Sequence, residues 1–140
     1  MIKVYTDAAV NGNPGEVGLG ILLVKDGEQF PYKFPVEKKM DNHLAEFMAI
    51  SKALELLYAN QYQEELIFIH TDSKVAADAI LKNYTKREGN RVVLQEIQRQ
   101  LKQFPQLFVK WIPESDNRGA DQLARQALQQ RLTQQKGEIS

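Results

Sequence analysis

The period of the apolar positions changes several times along the chain, and each change marks an element. Ile2, Val4 and Tyr5 form a β-branched and aromatic run that predicts a short first strand, ending at Tyr5. Asn11-Gly12-Asn13-Pro14-Gly15 follows as a dense turn signal. Gly18 to Val24 reads as an apolar strand, Asp26-Gly27 as a hairpin turn, and Gln29 to Val36 as the return strand. Pro31 and Pro35 lack the N–H a central strand needs, which assigns this third strand to a sheet edge. From Leu44 to Tyr58, Leu44, Phe47, Met48, Leu54 and Leu57 recur at helical spacing. Leu66-Ile67-Phe68-Ile69 is short, wholly apolar and bounded by polar residues, as a buried strand would be. Ser73 supplies an N-cap for a helix carrying Val75, Ala76, Ala79 and Ile80. Leu94, Ile97, Leu101 and Phe104 mark another helix, and Leu107 to Ile112 a strand that Pro113 stops. The last helix turns Leu123, Ala124, Ala127 and Leu128 inward. The order β-β-β-α-β-α-α-β-α, with hairpin-linked opening strands, predicts an α/β fold with a five-stranded mixed sheet, its first three strands antiparallel, covered by helices.

Length and composition narrow this picture. A chain of 140 residues suits one domain, since two would fall near the lower limit for self-sufficient cores. The expected domain spans 1–132, with the Gln-rich end leading into a tail, 133–140, that should fray. At 43% hydrophobic and 26% charged residues, the chain is outside the composition range of disorder. The absence of cysteine removes thiolate nucleophiles and Cys-ligated metals from consideration. No apolar run approaches the length of a membrane span and no leader-like run opens the chain, which sets the expectation of a cytoplasmic protein without membrane contact. The edge prolines argue against strand-to-strand dimers, so a monomer is expected. Formal charge is zero, but unevenly spread. Between Lys82 and Lys102, six basic residues, Lys86 and Arg87 among them, stand against Glu88 and Glu96. This segment is a candidate phosphate-tracking face, or simply the solvated side of two helices.

The candidate chemistry lies in four acids near element ends. The predicted elements put Asp7 just past the first strand, Asp72 just past the strand that starts at Leu66, and Glu46 and Asp121 in the first turns of their helices. Ligand sites in open α/β sheets favour the carboxyl ends of strands, so Asp7 and Asp72 can share a rim. Carboxylates brought together repel unless a cation or a proton intervenes, and an oxygen-only donor set selects hard ions such as Mg²⁺ or Mn²⁺. Acids in first turns also complement the helix dipole, which leaves a purely structural reading open.

The segments around these acids carry a resemblance. TDAAVNGNPGEVGLG around Asp7, HLAEFMAI around Glu46, IHTDSKVAADAI around Asp72 and DNRGADQLARQA around Asp121 resemble the four motifs of type 1 ribonucleases H, in the family's order and approximate spacing. The resemblance covers nearly the whole chain. It implies a ribonuclease H-like fold with helices on both sheet faces, and a metal-dependent endonuclease that cuts the RNA strand of RNA–DNA hybrids. Carried onto matching positions, Asp7, Glu46, Asp72 and Asp121 are the implied catalytic residues and ligands of two Mg²⁺ ions, with Mn²⁺ as the alternative metal. The implied products are 5′-phosphate and 3′-hydroxyl ends.

The same resemblance gives further residues a role toward the hybrid. Asn13 matches a turn position near the RNA backbone and is equally a turn former. Asn42 matches an Asn that contacts the hybrid and is equally a helix N-cap. Ser73 stands next to the third acid as a cap and a candidate contact, and Asn117 stands near the fourth acid in the same two capacities. Lys86 and Arg87 fall where many members carry a basic substrate-binding protrusion. Trp111, the single tryptophan, reads as a core residue because its neighbours are apolar. Two departures bear on activity. The segment Trp111 to Asn117 lacks the His that many members carry there and holds Glu114 and Asp116 instead. Ala8 stands where the family's usual residue is Gly, which would strain a backbone needing positive φ. These departures motivate an alternative: a catalytically weak or inactive nucleic-acid-binding protein of the same fold.

Overall fold

β-branched and aromatic runs alternate with amphipathic ones, and the computed structural model, which describes residues 1–139, builds a strand or a helix from each. The strands are β1 (Ile2–Gly12), β2 (Gly15–Lys25), β3 (Glu28–Met40), β4 (Ile67–Thr71) and β5 (Leu107–Trp111). The helices are α1 (Asn42–Ala59), α2 (Lys74–Lys82), α3 (Glu88–Leu101) and α4 (Arg118–Ile139). The strands form one mixed sheet in the order β3-β2-β1-β4-β5. β1, β2 and β3 are antiparallel, and β4 and β5 are parallel to β1. The third strand is at the edge, where its prolines suggested.

The first three strands are longer than their apolar signatures. β1 continues through Asp7 to Gly12 because β2 supplies antiparallel partners along its whole length, from Ile2↔Lys25 to Gly12↔Gly15. Asp7 is therefore inside a strand and not beyond its end. Its neighbour Ala8 is also strand, and Ala8 is not among the residues with positive φ, so the expected strain is absent. Asp26 and Gly27 have φ of 53° and 78°, the twist a tight hairpin between β2 and β3 requires.

Alternation splits the sheet into two faces. Ile2, Val4, Ile21, Leu23, Ile67 and Ile69 are fully or almost fully buried under α1, α2 and α3, together with Phe47, Leu54, Leu57, Ile80 and Ile97. The opposite face receives α4 across β1, β2 and β3. There the packing is so close that a Cβ at Gly18 would collide with the Ala124 carbonyl and the Leu128 nitrogen. At Gly20 it would collide with the Ala120 carbonyl and the Ala124 nitrogen. β4 and β5 extend past the area α4 covers.

Three end effects depart from the sequence reading. Asp41, not Asn42, caps α1: its carboxylate accepts from the Leu44 N–H at 2.8 Å, which puts Glu46 in the second helical turn. Trp111 is half exposed, because β5 is the other edge of the sheet. α4 stays helical to Ile139, so the segment expected to fray from 133 is a continuation of the helix, and Ser140 lies outside the described residues. Arg131 anchors that continuation. It is buried and its Nε reaches the buried Glu16 Oε2 at 3.0 Å. No helix among the described residues is long and apolar enough to cross a membrane.

Candidate active site

The site forms where the sheet divides. β1 and β4 run in parallel up to the pair Thr6↔Thr71 and pair no further, so Asp7 and Asp72 emerge side by side from the last rung. From there β1 continues with β2, while the chain after β4 turns into α2. Glu46 arrives from the second turn of α1. An oxygen from each of Asp7, Glu46 and Asp72 lies within 4.8 Å of one from the other two.

This arrangement costs free energy in the protein alone. Asp7 is 5% exposed, and burial, reinforced by the charge of Asp72, pushes its pKa up to about 7. Burial also holds Glu46 well above the usual carboxylate range, with the charge of Asp7 adding to it. Glu46 Oε2 is buried without a hydrogen-bond partner. A donor set of three hard oxygens, crowded and lacking a counter-charge, fits a divalent cation such as Mg²⁺ or Mn²⁺. The fit rests on that unpartnered oxygen and the mutual proximity of the three carboxylates.

Backbone and amide donors hold the cluster in place. The Ala8 N–H donates to Asp7 Oδ1 at 2.9 Å. Asn117 is 1% exposed, and its Nδ2 donates both to the Thr6 carbonyl at 2.8 Å and to Asp72 Oδ2 at 3.0 Å. Its side chain thus ties β1, Asp72 and the start of α4 together, facing inward and capping no helix. The Trp111 indole N–H donates to the Asp72 carbonyl at 3.1 Å. The parallel register, which pairs Trp111 with Thr71, the residue before Asp72, brings the indole to that carbonyl.

Asp121 stands beside this trio. Its carboxylate is close enough to Asp7 to contribute to the raised pKa, yet it is not among the three mutually close acids. Arg125, one turn on, holds it through Nε, at 3.2 Å from Oδ1 and 3.1 Å from Oδ2. A cavity of about 600 Å³ opens here between Glu114, Ser115, Arg118, Asp121, Gln122 and Arg125. Arg118 and Arg125 therefore line that space together with Glu114 of the preceding loop.

Other positions singled out in the sequence surround the cluster. Asn13 and Asn42 are brought together, with the Asn42 N–H donating to Asn13 Oδ1 at 3.0 Å, and both stay exposed. Ser73 caps α2, accepting from the Ala76 N–H at 3.1 Å. Lys86 and Arg87 lie in the link between α2 and α3. They line a cavity of about 590 Å³ with His43, Lys82, Tyr84 and Asn90. His43 belongs to the first turn of α1, so this cavity reaches the helix that carries Glu46. His70 stacks on Tyr5 and contacts the Val4 carbonyl, away from the three acids.

Comparison with known proteins agrees with this geometry. The RNase H family model matches residues 1–129. A protein of Enterococcus faecalis provisionally named hydrolase EbsB is 43% identical over 129 residues, covering 92% of this chain and 95% of that protein. The ribonuclease H of Thiobacillus denitrificans is 30% identical over 145 residues, with 93% and 95% covered. Among solved structures, LC11-RNase H1 in complex with an RNA/DNA hybrid has the same fold, with a TM-score of 0.85 at 24% identity, covering 94% of this chain and 99% of that one.

Proposed function

The chain belongs to the RNase H family, and on that premise we propose that it is a metal-dependent endonuclease acting on the RNA strand of RNA–DNA hybrids at the Asp7, Glu46 and Asp72 cluster. The observation that carries the reading is the crowding of three carboxylates in a partly buried site without a counter-charge of its own. The hybrid bound by LC11-RNase H1 and the activity named for the Thiobacillus denitrificans relative point the same way.

Asp7, Glu46, Asp72 and Asp121 are the residues that would hold two divalent ions, Mg²⁺ or Mn²⁺. When bound, such ions would supply Lewis acidity at the phosphate and lower the pKa of water; in this reading hydrolysis breaks the P–O3′ bond, leaving 5′-phosphate and 3′-hydroxyl ends. The chain's own groups have simpler tasks. Asn117 and Trp111 keep Asp72 at its station. Asn13 and Asn42 present exposed amides able to donate to and accept from a 2′-hydroxyl. Lys86 and Arg87 meet phosphates across the cavity beside α1, and Ser73 sits next to Asp72. The protein acts as a monomer in the cytoplasm in this reading. A weaker catalyst that mainly binds hybrids is the second reading, favoured by the engagement of Asp121 with Arg125.

An end-labelled RNA–DNA hybrid, incubated with Mg²⁺, with Mn²⁺ or with chelator, tests both. Single-stranded RNA, duplex RNA and duplex DNA serve as comparison substrates. Metal-dependent cleavage confined to the hybrid, reduced roughly a thousandfold or more in Asp72→Asn, is the expected result, since a metal site supplies several kcal/mol. Hybrid binding without cleavage by folded protein would select the second reading.

A further inference from the structure

α4 covers β1, β2 and β3 on its face of the sheet, and among the described residues no helix covers the same face of β4 and β5. The residues that alternation places there are unlike an ordinary solvated face. Register sets Lys3 beside Phe68 and Phe108, and Tyr5 beside His70 and Lys110. Tyr5 and His70 stack with centroids 4.6 Å apart and planes 14° apart, and Phe68 and Phe108 stack at 5.8 Å and 25°. A centroid distance of 4.6 Å nearly equals the spacing of adjacent strands, so the Tyr5 and His70 rings stand upright on the sheet and turn their edges to solvent. Ring edges carry the positive end of the aromatic quadrupole.

Formal charge has the same sign. Lys3 and Lys110 are exposed, and the Lys110 ammonium is held 4.4 Å over the Phe68 ring. The strip is therefore cationic and edge-on aromatic, and it leads into the site. Tyr5 and Lys3 precede Asp7 on the same side of β1 by two and four residues, roughly 7 and 13 Å of strand.

We propose that this uncovered face of β1, β4 and β5 binds the phosphate backbone of a single-stranded segment that runs off the hybrid held at the carboxylate cluster. The surface is distinct from the Lys86–Arg87 side, which lies beyond α1 and α2. Its contacts are to phosphate and therefore independent of sequence, and the cation–π contact of Lys110 keeps one ammonium in position before binding. The inference rests on the hybrid-cleaving reading for its substrate, and its test is separable from that reading.

Binding is measured by fluorescence anisotropy in Ca²⁺ with a blunt hybrid and with the same hybrid extended by single-stranded RNA at its 5′ or 3′ end. Wild-type protein should bind one extended form about three- to tenfold more tightly than the blunt one. Lys3→Gln/Lys110→Gln should lose that gain, lower the salt slope on the extended form by about 1.4, and keep blunt-hybrid binding and cleavage within about twofold. Lys3→Arg/Lys110→Arg should retain the gain. Equal binding of blunt and extended hybrids by wild-type protein would overturn the proposal, as would an unchanged gain in the Gln double variant. So would displacement of the extension by an acidic peptide at equal charge concentration, which would make the strip a protein-docking surface. Failure to cleave the blunt hybrid would count against the enzymatic reading alone, because the anisotropy arms read the strip without turnover.

Discussion

The two ends of α4 bury carboxylates in opposite ways. Near its far end, Glu16 is 6% exposed and Arg131 7% exposed, and the two meet at 3.0 Å, so each buried charge has its partner inside the chain. At its start, Asp7, Glu46 and Asp72 converge, and Arg125, one turn beyond Asp121, is turned to Asp121. Asp121 and Arg131 are ten residues apart on one helix, about 15 Å. The fold can therefore neutralise a buried acid with its own cation, and at the site it does not. The difference marks one cluster as architecture and supports the proposal that the other takes a cation from outside.

Breaking the internal pair should have the largest effect on stability. Glu16→Gln removes the Glu16 carboxylate from the buried guanidinium of Arg131 and should cost about 3–5 kcal/mol in chemical denaturation. The turnover of the folded fraction should stay near wild type. A variant as stable as wild type would mean that the pair compensates nothing.

The carboxylate cluster should respond with the opposite sign. Asp7 has a native pKa of about 7, above its unfolded value of 3.8, so the stability this group contributes is full below pH 4 and is lost as pH rises through 7. Metal-free protein should lose roughly 2–4 kcal/mol over that window. Thermal melts with and without Mg²⁺ measure it, and Mg²⁺ should restore the loss. Asp7→Asn should flatten the profile and raise the melting temperature of the metal-free protein near pH 7. A pH-independent melting temperature in wild type would contradict the assignment.

Smaller changes sharpen the contrast. Asn117→Ala removes the amide that orients Asp72 and should weaken Mn²⁺ binding about tenfold or more in a calorimetric titration. Arg125→Gln opens an exposed pair one turn apart and should shift stability by less than about 0.5 kcal/mol, far below the effect at Glu16.

Much of this was legible in the chain because it rests on local chemistry. Period changes gave every strand and α-helix in order, the prolines gave the edge, and Ser73 announced its cap. The four acids stood out because each lies near a junction between elements. What stayed hidden depends on pairing across the fold. β1 is more than twice its apolar length because β2 defines it, which moves Asp7 inside a strand. Trp111 has apolar neighbours in sequence but an edge position in the sheet, so its ring is half exposed and its N–H is free for the Asp72 carbonyl. Arg131 lies in a Gln-rich run that gives no hint of burial, and Glu16 is more than a hundred residues away. Asn117 presented itself as a cap or a contact, and only the meeting of Thr6 and Asp72 beneath it explains its buried side chain.

Gly18 and Gly20 have a consequence for how far this chain can drift during evolution. α4 sits against β2 where these residues have only hydrogen atoms, so its close approach to the sheet there depends on missing matter. A single methyl group at Gly20 would lift the helix at Ala120, the residue beside Asp121, and carry that carboxylate away from Asp7. The spacing of the acids is thus inherited through two positions that hold no functional group at all. A lineage that gained alanine there would lose the fourth carboxylate's station with all four acids still present.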